Sequence, residues 1–465
     1  MVRLLFAGVV LITAVSFVPS SAFAQTWTGS TSSDWNVGTN WTGDAVPAGN
    51  AVVNNVSDAT PNAPIVSAPP SAQPTRALIG FGGGQGVLDV TGGDLTTNFT
   101  TANWWNASSI GLGQDPSSNG TLNLSGGNLD VTGDVWIGAW GGTGTWNQTG
   151  GSANISGKWA VGNYEDVQGQ TIGIATVENG TVSAGSVTVA RARNTVDIID
   201  ASLDVNVGGI VTSEGDLAVG FAGGLDGGAS SGVMNINDGG IVNVASTAER
   251  WMIIAQYDGA DGTVNVNNGG MLNLNAGTDL QVGLSSSGAS LLTVDGTING
   301  SAAANGDASR VEVNTVLSTL DIQSSGVINA DVNVNAGLFG GDGTIDGDLT
   351  MDAGTLFAFD ELETLSVTGS VLLDTTFGVD DLLGISASTA DGTYTLIDTT
   401  STDFSSLGIE NWGIGNAYDF GAGNKLAYFS GGSLAVTVTT VPEPSSLALL
   451  ALCTMGIVAR RRRKA

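Results

Sequence analysis

The sequence predicts an all-β chain. It reads as a parallel β-solenoid (β-helix) with N- and C-terminal β caps, plus an N-terminal signal helix and a C-terminal hydrophobic helix. Three observations predict it. A unit repeats: GTLNLSGGNLDVTGDVWIG from Gly120 to Gly138, then GTWNQTGGSANISGKWAVG from Gly144 to Gly162, offset by 24 at every aligned position. Within a unit the apolar residues alternate, as Leu122 and Leu124, Leu129 and Val131, Val135 and Ile137. A period of two marks strands with one buried face. These strands are only about four residues long, too short for a free hairpin to be stable. As three sides of one coil, stacked on the next coil, they would share a continuous core.

The elements follow in order. Residues 1–24 read as a secretory signal: Arg3, an apolar run from Leu4 to Val18, and Ala22-Phe23-Ala24 before a cleavage point between Ala24 and Gln25. Residues 25–85 carry Trp27, Trp35 and Trp41 and a proline-rich stretch from Pro61 to Pro74. An open solenoid end exposes strand edges and core, so this segment reads as a cap and lead-in. A carbohydrate-binding surface of tryptophans is the alternative, although Trp more often packs than binds. The solenoid repeats occupy residues 86–350. Gly86, Gly232 and Gly262 each open a further copy, the last two 30 apart, so loop lengths vary while strands persist. Residues 351–440 continue as short strands, LSVTGSVLL, GTYTLID and LAYFSGGSLAVTV, expected to close the other end. Residues 441–465 form a sorting tail: Pro442-Glu443-Pro444, an apolar run, then Arg460 to Arg463 and Lys464. The apolar run is shorter than the ~20 residues of a spanning helix, but the basic cluster behind it fits a transmembrane segment whose end stays cytoplasmic.

Composition excludes several functions. Setting aside Arg3, the five terminal bases and Glu443 leaves 7 basic against 42 acidic side chains in residues 25–440, a net charge of −35. Such a surface repels nucleic acid and anionic membranes. With no histidine, Ser-His-Asp and Cys-His sites and His-bound zinc are absent. Cys453 is the single cysteine, so no disulfide forms within the chain. No metal or other cofactor is expected. The abundant Asp residues suit turns. Loosely bound Ca²⁺ is the alternative, but no ordered carboxylate ladder repeats, and GGDGTIDGD matches a Ca²⁺-binding nonapeptide only once.

The tail resembles the PEP-CTERM sorting signal of Gram-negative bacteria in all three parts. That resemblance implies an exosortase-class sorting enzyme as partner, cleavage near the motif, transient membrane anchoring and delivery to the cell surface or the exopolysaccharide matrix. The repeat region resembles the passenger solenoids of autotransporters, through GLFGGDGTIDGDLTMDAGTL followed by LSVTGSVLLD, and through NWTGDAVP from Asn40. No C-terminal β-barrel follows, so the sorting tail takes its place. Neither resemblance supplies a catalytic residue.

One row of residues invites a binding site. The two positions after an [Ile/Val]-Gly motif or its equivalent align as Ala139-Trp140, Asn163-Tyr164, Arg191-Ala192 and Gln256-Tyr257, with Lys158, Arg193, Arg250 and Trp251 nearby. Sugars stack on aromatic faces, and Arg holds carboxylates through paired hydrogen bonds. The candidate glycan-binding residues are therefore Trp140, Tyr164, Arg191, Arg193 and Tyr257. The competing reading is that they pack over a corner between coils. The expectation is a non-enzymatic structural or adhesive protein of the cell surface or matrix. The alternative is a β-helix that binds or cleaves polysaccharide, drawing on Asp197, Asp200 and Asp204, on Asp360, Glu361 and Glu363, or on Asp380 and Asp381.

Overall fold

The computed structural model describes residues 24–56, 62–99, 108–163, 169–192, 197–223, 229–244, 250–284, 288–304, 306–421 and 424–441. The signal segment before Ala24, Tyr164, Arg193 and the tail from Pro442 lie outside them, and with these the two expected terminal helices. Among the described residues no helix is long and apolar enough to cross a membrane.

The chain winds as a three-sided parallel solenoid. One face is a sheet of 13 strands, running from Ile65–Val66 to Leu382–Leu383. The second and third faces belong to one continuous sheet of 27 strands, because Ser152–Asn163 and Thr181–Ala192 pass unbroken round the edge between them. The register is the one the repeat spacing sets: Gly120 lies opposite Gly144, and Gly232 opposite Gly262. Leu122, Leu124, Leu129, Val131, Val135 and Ile137 all point into the core and are buried. A one-residue slip would turn every such side chain outward, which is why the apolar alternation fixes the pairing.

The coils of the N-terminal two thirds of the rod close at a tight corner. Gly80, Gly113, Gly138, Gly162 and Gly220 end the strands of the third face with positive φ, and Ala190 and Ala255 take the same conformation. A Cβ at Gly138 would strike the carbonyl oxygen of Ile172 on the incoming strand. At Gly138 the backbone crossing thus leaves no room for a side chain, whereas the corners at Ala190 and Ala255 accommodate a methyl group.

Both ends are covered. At the N-terminal end Trp27 and Trp35 meet Trp41 edge-on, with centroids 4.9 and 4.6 Å away, and all three are buried. Asn40 braces them, accepting from the Thr31 and Ser32 amides at 2.9 Å each. At the other end Gly392–Asp398, Lys425–Ser430 and Leu434–Thr440 turn antiparallel, which stops the parallel edge from templating another strand.

Amide ladders run along the outside. Asn329 donates to Asn299 at 2.7 Å, Asn299 to Asn273 at 2.9 Å, Asn273 to Asn243 at 2.8 Å and Asn243 to Thr212 at 3.3 Å. Two shorter ladders climb from Asp204 through Asn235 to Asn265, and from Asn206 through Asn237 to Asn267. In every one the later coil donates to the earlier. Asp204, like Asp89 under Asn123 and Asn147, is an acceptor-only first rung.

Candidate surface on the third face

The third face is buried on both sides over several coils: Ile110–Gln114 and Val135–Ala139 are buried at every position. The inner side is the solenoid core. The outer side is covered by the residue that follows the positive-φ corner. Phe81, Gln114, Ala139, Asn163, Arg191, Phe221 and Gln256 stand in one row, each opposite the next. The corner residue breaks the strand's alternation, so side chains of this row can turn back onto the strand. The Gln114 amide occupies the space a Cβ on Gly111 would need. On the next coil the sizes reverse: Ala139 is small, and the Trp136 ring packs with it and with Ala160. Large and small residues alternate between the two rows, as in a packed interior.

Trp140 and Tyr257 are set by this arrangement. Both have positive φ, 55° and 70°, unusual for aromatic residues. Trp140 meets Trp136 edge-on at 5.4 Å. Tyr257 meets Phe221 edge-on at 5.6 Å and is 44% exposed. Arg191 lies between them. Its Nη1 donates to Asn163 Oδ1 at 3.2 Å, and its guanidinium stands over the Phe221 ring at 5.7 Å. Arg76, on an earlier coil, is held the same way, over Phe99 at 4.5 Å with Nε donating to the Ser108 carbonyl at 2.8 Å. Burial lowers its pKa from the ordinary arginine value.

Trp140, Arg191 and Tyr257 therefore lie along one wall of the rod, with Arg191 and Tyr257 both against Phe221 and Trp140, two coils before Arg191, against Trp136. Trp251, 49% exposed, sits at the far end of the strand that precedes Tyr257. Phe221 is the partner of Arg191 and Tyr257 that the aligned pairs left out, while Asn163, which they included, is the acceptor for Arg191. The signal for Phe221 was present in the sequence, since AVGF at 218–221 carries the same motif as AVGN at 160–163. Among the described residues the buried polar atoms of this face without a hydrogen-bond partner include Gln114 Oε1, Asn163 Nδ2, Thr188 Oγ1 and Gln281 Oε1.

The carboxylates considered for catalysis are held in other ways. Asp200 accepts from Gln170, and Asp204 from Asn235. These two lie four residues apart on one strand, about 13 Å, beyond the separation of a glycosidase pair. Asp381 accepts from the Gly378 amide at 2.8 Å and fixes a turn, and Asp360 accepts from the Leu362 amide at 2.9 Å. Of Asp197 only the backbone is described. Among the described residues no group of three His, Cys, Asp or Glu is placed to hold a metal ion.

Residues 440–464 match the PEP-CTERM protein-sorting motif. Among solved structures the chain is similar to a fragment of TibA hyper-glycosylated by TibC, with 16% identity and a TM-score of 0.25, over 70% of this chain and 96% of that one. No curated protein matches it. The motif marks the chain as exported, held transiently at the membrane and then released to the surface, with an exosortase as the enzyme that sorts it.

Proposed function

We propose that the chain is a non-enzymatic rod of the bacterial surface or exopolysaccharide matrix, which adheres to glycans through the third face. The rod has 13 rungs on its first face, roughly 60 Å at about 4.8 Å per rung. Its stiffness rests on ladder hydrogen bonds and a continuous core, with no disulfide. The observation that carries the adhesive reading is the line from Trp140 through Arg191 to Tyr257. It supplies aromatic edges and a guanidinium on one wall of an otherwise acidic protein. A sugar ring stacks on Trp140 or Tyr257, and a uronate or similar acid pairs with the arginine.

The test is binding of neutral and acidic polysaccharides to the full chain, with release of new chain ends assayed in parallel. Saturable binding that weakens in both Trp140→Ala and Tyr257→Ala, with no new ends, supports the reading. Turnover of any polymer overturns it in favour of a cleaving β-helix. Binding that neither substitution changes removes the third face as the contact.

A further inference from the structure

A second surface lies on the first face, toward the C-terminal end of the rod. Along that face the outward row Thr293, Asp321, Gly340 crosses successive coils in register. Gly340 contributes no side chain, and its missing Cβ would touch the Cβ of Ala358 on the next coil. Ala358 thus packs close over Gly340, and the row borders a notch of about 390 Å³ whose lining spans four coils. One wall is apolar and contains Leu338. The other carries Phe359, Asp360 and Glu363, and Asp321 borders the floor.

The charges here are unbalanced. Among the described residues no salt bridge reaches Asp321, Asp360 or Glu363. Burial raises the Asp321 pKa above the ordinary carboxylate value. Burial also raises that of Glu363, followed by repulsion from Asp360, Asp342 and Asp321. Carboxylates crowded against apolar side chains are relieved by an opposite charge. A point cation does not suit the arrangement, because these groups do not converge as metal ligands. A ligand with cationic groups spaced along an apolar body does.

We infer that the notch at Gly340 binds a linear amine-bearing glycan, with sugar faces against Leu338 and Phe359 and ammonium groups beside Asp321 and Glu363. The site is separate from the third face, and its chemistry is the opposite. The third face offers a guanidinium for acidic sugars, and the notch offers carboxylates for amino sugars. A rod with both would join two kinds of polymer.

The experiment titrates the full chain with short glucosamine oligomers bearing free amines, and with their N-acetylated counterparts of equal length. The variant is Asp321→Asn with Glu363→Gln. A control, Asp44→Asn with Asp238→Asn, removes the same charge from two exposed positions elsewhere. Thermal melts check that each variant folds. The expected result is saturable binding of the free-amine oligomer, about tenfold weaker in the notch variant and unchanged in the control. Arg191→Ala leaves it unchanged, which separates failure here from failure of the third-face reading. Equal weakening in both double variants overturns the site. So does equal binding of the acetylated oligomer. A lysine oligomer of equal charge that binds as tightly overturns the assignment to a sugar.

Discussion

Asn273 stands in the middle of the longest amide ladder. It donates to Asn243 at 2.8 Å and accepts from Asn299 at 2.9 Å. Asn273→Ala removes both bonds. Each is worth about 1 kcal/mol net, and the half-buried neighbours keep access to water, so the expected loss is about 2 kcal/mol. Asn329 ends the ladder with one bond, to Asn299, and Asn329→Ala should cost about 1 kcal/mol. Asn273→Asp separates the polarity of the ladder from its packing. It preserves size and still accepts from Asn299, but it sets a carboxylate against the Asn243 oxygen. The folded-state pKa of that new carboxyl is therefore raised. Its penalty grows as pH rises above the ordinary Asp value and vanishes in acid, where the protonated group donates. A long repeat array need not unfold in two states, so the assay is hydrogen exchange of peptides covering residues 265–300, at pH 4 and pH 7. If Asn273→Ala costs no more than Asn329→Ala, or if Asn273→Asp shows no dependence on pH, the ladders do not stabilise the coils.

Two further outcomes follow from the geometry. Gly138→Ala combines a positive φ with a clash against the Ile172 carbonyl, and should cost about 3 kcal/mol, read as lost protection in the coils at 135–177. The pH dependence of the distal coils follows Asp279, Asp321, Glu363 and Asp381, whose pKa values are all raised, chiefly by burial. In the window between the unfolded and raised folded values the native state holds more protons, so stability falls as pH rises through it. Mild acidification from neutral should therefore protect these coils. Asp321→Asn with Glu363→Gln should flatten that gain, and a gain undiminished in this variant would assign it to other groups.

The register was legible because two independent periods agreed. Alternation of Leu, Val and Ile fixed which side faced in, and the recurring glycines fixed which residue lay opposite which, so Gly120 could be set against Gly144 without coordinates. The ladders were half legible. Asn235 and Asn265, and Asn243 and Asn273, recur at the spacing of the glycines, but a search for carboxylate ligands passes over them. Spacing does not say which amide donates. The outer layer of the third face was not legible. Val135–Ala139 reads as a short apolar run, and nothing in its periodicity indicates that a residue beyond a left-handed corner turns back to cover it. The aligned pairs located the row. The part played by Phe221 and Asn163 emerges only once the backbone reverses at Gly220 and Gly162.

The two proposed surfaces can be tested apart because of how a solenoid distributes its energy. Each coil contacts chiefly its neighbours, so a substitution is felt over one or two rungs and little further. From the rung at 143–148 to that at 337–341 there are seven steps, or about 34 Å. Substitutions that far apart with no shared partner are expected to add. Trp140→Ala combined with the notch variant should therefore lose acidic-glycan and amino-glycan binding independently, each to the extent seen alone. The same locality bears on adhesion. A rod whose contacts lie on different faces and at different heights holds two polymers at once without either site reshaping the other. Its grip then comes from the number of rods rather than from any conformational change within one. If the combined variant loses more than the two parts predict, the rod transmits strain along its length, and the nearest-neighbour account of its stability fails with it.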